Sequence, residues 1–219
     1  MLNAKSVYKQ ITQLTGDVIA SGLCDAQNHP SMTQKPGEIT EIGTTGTDHS
    51  IYLKNIPYAD LYAELNNRRQ YNLKMIDGAL ISLSYRFHRD HLTAHRLSFL
   101  PAPDLEVFQN APEAYMEDEL YIEFTDKRLV TVPIRFDFDD GEAFIPVEHP
   151  KSHLTLGQYE HCRIPVRSAV SPYYFLTFIL NHFYHINSRP NLCRLTKYAD
   201  TFPPSIVPDE QLHIYIHTP

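Results

Sequence analysis

Val7, Ile11, Leu14 and Val18 recur at intervals of four, three and four residues, the repeat of one helical face, and predict an amphipathic helix over residues 3–22. No such period continues into residues 26–50. That stretch is polar and broken by His29-Pro30, Lys35-Pro36-Gly37, Gly43 and Gly46, a composition that predicts a flexible linker or loop. Pro57 can open a second helix, with Tyr58, Leu61, Tyr62 and Leu65 on one face and Arg68-Arg69 in its last turn, where cations suit the carbonyl end of the helix dipole.

From Ala79 the period falls to two. Ala79, Ile81, Leu83, Tyr85 and Phe87 alternate with Ser82, Ser84, Arg86 and His88, the pattern of a strand with one buried face, and Arg89-Asp90-His91 reads as its turn. A partner strand is predicted over 96–100, ended by Pro101-Ala102-Pro103-Asp104, because proline cannot donate to a ladder. Leu120, Ile122 and Phe124 suggest another strand. Val132, Ile134, Phe136 and Phe138 alternate with Thr131, Pro133, Arg135 and Asp137, with Pro133 placing that strand at an edge or bulge and Asp139-Asp140-Gly141 turning the chain.

Cys162, Ile164 and Val166 predict a further strand. Ser171 then caps a helix with Pro172 at its first position and Leu176, Ile179, Leu180 and Phe183 on its apolar face, widened by Phe175 and Phe178. Leu212, Ile214 and Ile216 suggest a last strand. Strands grouped in the middle with helices before and after predict an α+β fold: a mainly antiparallel sheet flanked by an N-terminal helix and a buried helix near residues 172–185. At 219 residues the expectation is a single domain over 1–219, comprising the N-terminal helix (1–25), the linker or loop (26–50) and an α+β core (51–219).

The net charge of −7 supplies no global field for nucleic acid, so any phosphate-binding surface must be a local patch. Three separated cysteines, Cys24, Cys162 and Cys193, argue against a disulfide framework and for a reducing compartment. With no long apolar run, a soluble, cytoplasmic protein is expected. Neither a dinucleotide glycine fingerprint nor a P-loop is present, and the sequence specifies no cofactor.

Candidate chemistry lies in two places. One is the polar side of the strands, where Arg86, Arg96, Arg135 and Arg163 with Arg167 would make a cationic face if the strands share a sheet, since guanidinium forks match phosphate oxygens. The same arginines can equally pair with Asp118, Glu123, Asp126 and Asp137. The other is the segment Glu148 to Arg163, in which His149, Ser152, His153, His161 and Cys162 crowd together.

A zinc reading of that segment lacks the spacing, because Pro150 and Gly157 leave little room for a helix and no H-E-x-x-H or paired C-x-x-C exists; no metal ligands are assigned. His149 and His153 could instead act as acid and base on a phosphodiester, with Ser152 beside them as a candidate catalytic hydroxyl. Asp104, Glu117, Asp118, Glu119, Glu123 and Asp126 could serve a magnesium-dependent nuclease but match no strict signature. His91-Leu92-Thr93 and His153-Leu154-Thr155 repeat a His-x-Thr pattern similar to that of 2H phosphoesterases, yet no duplicated halves accompany it.

Several segments taken together resemble a bacterial family catalogued only as a domain of unknown function. They are Ser84-Tyr85-Arg86-Phe87, His95-Arg96-Leu97, Pro101 to Glu106, Pro133-Ile134-Arg135-Phe136-Asp137, His149-Pro150-Lys151-Ser152-His153-Leu154-Thr155-Leu156-Gly157 and Cys162-Arg163-Ile164-Pro165-Val166. The resemblance covers most of residues 50–185. Members of that family are encoded beside a helicase in antiphage defence loci, so it implies a defence role with a helicase partner and assigns no catalytic residue. Three expectations follow: a nucleic-acid-contacting component gripping phosphates through Arg86, Arg96, Arg135 and Arg163; a phosphodiesterase or nuclease effector using His149, Ser152 and His153; or a structural or regulatory subunit docked through its N-terminal helix or the following linker.

Overall fold

The computed structural model describes residues 2–44, 56–103, 132–159, 161–186 and 193–219, and among them four helices and nine strands form an α+β structure. Helix α1 (Ala4–Ala20) starts at Asn3, whose side chain accepts the Ser6 amide at 2.9 Å while Ser6 Oγ accepts the Asn3 amide, a reciprocal capping box. Its spacing-four face is the buried one. Val7, Ile11, Leu14 and Val18 are fully enclosed by the sheet and by α3 (Pro172–Phe183), which itself buries Phe175, Leu176, Ile179 and Leu180. As predicted, Ser171 caps α3 through its hydroxyl, and Pro172 fills the first helical position. α1 thus closes one side of the main core.

The strands are β1 (Cys24–Gln27), β2 (Ser31–Lys35), β3 (Ile39–Gly43), β4 (Leu73–Met75), β5 (Leu80–His88), β6 (His91–Leu100), β7 (Ile134–Asp139), β8 (Ser152–Leu156) and β9 (Ile164–Pro165). They join one antiparallel sheet in the order β1-β4-β5-β6-β7-β8-β9, and the β2–β3 hairpin attaches to the second half of β5. The linker expected at 26–50 is therefore corrected over its described part. β2 and β3 turn at Pro36-Gly37-Glu38, where Gly37 and Glu38 take positive φ, and β3 gains main-chain bonds from β5 while burying only Thr40 and Ile42. A polar edge hairpin of this kind is held by its ladder more than by apolar burial, so its composition reads as loop.

Two other expectations shift. His91 opens β6 opposite His88, leaving Arg89-Asp90 as the turn. The last apolar alternation is not a strand: after α4 (Pro208–Gln211), Leu212 and Ile214 are 84% and 90% exposed, and Ile216 alone bridges to Val166. Leu120, Ile122 and Phe124, and the carboxylates between Asp104 and Asp126, lie outside the described residues. No helix among the described residues is long and apolar enough to cross a membrane.

Alternation divides the sheet into two faces. Ile81, Leu83, Tyr85, Phe87, Leu97, Phe99, Phe136, Phe138 and Leu154 point to α1 and α3. On the outward face, helix α2 (Tyr58–Asn67) lays Leu61, Tyr62 and Leu65 over Leu80 and Leu100 at one end, and the polar rows beyond it are largely buried too, with Ser98, His153, Thr155 and Asp137 only 0%, 5%, 7% and 8% exposed. The end of α3 is pinned by Tyr184, whose buried hydroxyl donates to both Asp77 oxygens at 3.0 and 3.1 Å, beside the β4–β5 turn. Burial raises the Asp77 carboxyl, against the Ala79 amide and Tyr184 hydroxyl bonds that stabilise its charged form. Tyr184→Phe removes that donor without altering ring packing, and is expected to lower stability by about 2 kcal/mol, read as a reduced urea midpoint at constant m.

Candidate functional site

Registers across β5, β6, β7 and β8 line up two polar rows on the outward face. Ser84 pairs with Arg96, Arg96 with Asp137, and Asp137 with His153; one step along, Ser82 pairs with Ser98, Ser98 with Arg135, and Arg135 with Thr155. β9 pairs Ile164 with Leu154 and Pro165 with His153, so continuing that register places Arg163 beside Thr155. The rows follow directly from the period of two. Arg135 and Asp137 sit two apart on β7, and His153 and Thr155 two apart on β8, so each pair must share a face.

Asp137 is the hub. Arg96 Nε donates to its Oδ1 at 2.8 Å and Arg135 Nε to its Oδ2 at 2.5 Å, with the three side chains 23%, 29% and 11% exposed for Arg96, Arg135 and Asp137. Burial works to raise the Asp137 carboxyl, but the Arg96 and Arg135 charges outweigh it and hold the group below its ordinary value. None of the described carboxylates pairs with Arg163. Arg86 shares the outward face but is neutralised two strands away from Asp137: Glu41, directly opposite on β3, accepts from its Nε at 3.1 Å and its Nη2 at 3.0 Å.

The imidazoles are fixed by main-chain carbonyls. His153 Nδ1 lies 2.9 Å from the Pro150 oxygen and His149 Nδ1 lies 2.7 Å from the Ala143 oxygen; since a carbonyl only accepts, each Nδ1 carries a proton. The two rings stand 5.5 Å apart, and His153 Nε2 is 3.9 Å from Asp137 Oδ2, too far for a hydrogen bond. Burial lowers the His153 pKa, helped by the His149 and Arg163 charges and resisted by Pro150 and Asp137.

The crowded segment does not converge as a unit. Ser152 alternates to the inward face, where its hydroxyl donates to the Ser168 carbonyl at 2.9 Å, so it cannot serve beside His149 and His153 as the sequence suggested. His161 is exposed, and Cys162 Sγ accepts the Leu156 amide. Among the described residues no group of three or more His, Cys, Asp or Glu is placed to hold a metal ion. The His-x-Thr pair also separates: His91 contacts Asp140 at the exposed end of β6, far in register from the buried His153.

Sequence reasoning treated Asp137 only as a neutralising partner and passed over Thr155 on this face. The available signal was their spacing of two from Arg135 and His153. His95 is a third addition, on the inward face: its Nε2 accepts the Val170 amide at 2.9 Å while Tyr85 donates to the Val170 carbonyl, and complete burial pushes the ring's pKa down to about 4. Through Nε2 it holds the sheet to the entrance of α3, while its buried Nδ1 has no hydrogen-bond partner among the described residues.

A family model described as an uncharacterized conserved protein (DUF2290) matches residues 23–218, and no curated protein or solved structure matches the chain.

Proposed function

We propose that this chain, which belongs to the DUF2290 family of uncharacterized conserved proteins, is a nucleic-acid-contacting component of a bacterial antiphage defence system that works with a helicase. One observation carries the nucleic-acid part. Arg96 and Arg135, distant in sequence, stand on one face of the adjacent strands β6 and β7, Arg163 joins that face when the β8–β9 register is continued by one residue, and Arg135 shares its only described carboxylate with a second guanidinium. Such a face favours phosphate oxygens in spite of the negative total charge. The helicase and the defence setting rest on the family resemblance of the segments around Arg96, Arg135 and His153.

Binding to single-stranded DNA or RNA in the presence of the helicase should weaken steeply with salt, as counterion release requires. Arg163→Glu is expected to reduce affinity by about tenfold and to flatten the slope of log K against log salt by roughly one. Arg86→Glu should do less, because Glu41 already takes most of that charge. Salt-insensitive binding, or none with the partner present, contradicts the reading.

A second reading is favoured by the tautomers alone. With both Nδ1 atoms donating to carbonyls, His149 and His153 each leave Nε2 as the open nitrogen, as general acid–base work on a phosphodiester requires. Ser152 takes no part in it. A cleavage assay of the complex separates the two readings: loss of cutting in His153→Ala supports hydrolysis, and equal cutting removes His153 from it.

A further inference from the structure

Thr155 lies between two arginines. Arg135 is its register partner on β7, and Arg163, one residue outside β9, falls opposite it if the β8–β9 register is continued by one step; Thr155 itself is 7% exposed. At the usual strand separation of roughly 4.8 Å, the two arginine stems start about 10 Å apart with a hydroxyl midway, within reach of one common group. Asp137 engages Arg135 through Nε, so the terminal nitrogens of that guanidinium stay outside the bond, and Arg163 has no partner among the described carboxylates. Two forked donors and a hydroxyl match the oxygens of a phosphodiester.

His153 stands in the adjoining row. Its Nδ1 is committed to the Pro150 carbonyl, so a second proton can enter only at Nε2, which looks toward Asp137 at 3.9 Å. The charged and titratable groups that act on it are Asp137 from β7, itself bonded to Arg96 and Arg135, His149 from the segment before β8, Arg163 from the β9 side and His95 from β6. Asp137 is already shared by two guanidiniums, so most of this surrounding charge is positive and resists protonation. A phosphate seated between Arg135 and Arg163 would reverse that balance.

Resting on the reading of the outward face as a nucleic-acid surface, we infer that Arg135, Thr155 and Arg163 form a subsite for one backbone phosphodiester, and that its occupancy is coupled to a proton on His153 Nε2. The coupling is reciprocal: the anion draws in the proton, and the proton tightens the anion. The depressed basicity of His153, caused first by burial and then by His149 and Arg163, puts the effect on the acid side of the ordinary histidine range.

The test uses the full chain and oligothymidylate, whose phosphodiesters keep one charge each throughout the range. Anisotropy at constant ionic strength should give binding roughly fivefold tighter at about pH 5.5 than at about pH 7.5. His153→Gln should abolish that ratio. On the unaltered chain, the NMR titration of the His153 ring should move to higher pH when the oligonucleotide is added, a readout independent of how the variant folds. Binding with the same pH ratio in His153→Gln, or a His153 titration that the oligonucleotide does not move, overturns the coupling and leaves the nucleic-acid reading standing. Absence of binding at both pH values, with the helicase added as well, overturns both.

Discussion

Asp137→Ala is expected to lower the unfolding free energy by about 3 kcal/mol, because it takes from two part-buried guanidiniums the carboxylate that they share. Arg135 loses its bonded oxygen and Arg96 loses one, and the two charges then face each other across adjacent strands with their side chains 29% and 23% exposed. The expected loss sits at the low end of the range for breaking buried pairs because water reaches both arginines. Arg135→Met should cost much less: it removes one cation and leaves Asp137 bonded to Arg96. Urea unfolding of the two variants checks the ordering, and an Asp137→Ala protein as stable as the parent contradicts the hub.

Acidification should be the second large effect. His95 is held neutral in the folded chain, with its pKa pushed from 6.5 down to about 4 by burial. Between those values the unfolded chain binds a proton that the folded chain refuses, so stability rises with pH there and falls on acidification. The shift corresponds to about 3 kcal/mol, fully present above the unfolded value and lost progressively down to about pH 4. His153, also lowered, adds in the same direction. Asp137 acts below this window: its folded value is depressed, so its stabilisation is lost as pH falls from the ordinary carboxylate value of 3.8 toward the lower folded one. His95→Gln, which retains an acceptor for the Val170 amide, should flatten the dependence of unfolding free energy on pH. An unchanged slope in that variant would remove His95 as its source.

The strongly periodic elements were legible because period and burial agree in them. Val7, Ile11, Leu14 and Val18 announce α1, Ser171-Pro172 announces α3, and the alternations around Tyr85 and Phe136 announce β5 and β7. β2 and β3 were not legible, since Ser31 to Lys35 owe their place to hydrogen bonds with a neighbour and not to an apolar face. Leu212 and Ile214 mislead for the opposite reason: they alternate like a strand and remain in solvent.

Of the site, sequence spacing fixes which residues of one strand share a face, and so groups Arg135 with Asp137 and His153 with Thr155. It does not fix register between strands. Whether Arg96 meets Asp137, or Thr155 meets Arg135, depends on a pairing that a one-residue slip would reverse. The same parity rule sends Ser152 inward, which close spacing to His153 along the chain conceals.

The outward face can be interrogated residue by residue by following the arginine Nε–Hε signals and the Thr155 amide of the isotope-labelled full chain as oligothymidylate is added at low salt. Saturable shifts at Arg135, Arg163 and Thr155 that salt reverses are expected, with Arg68 and Arg69 at the end of α2 unmoved. Shifts confined to α2, or none at any arginine, would show that these rows do not receive nucleic acid.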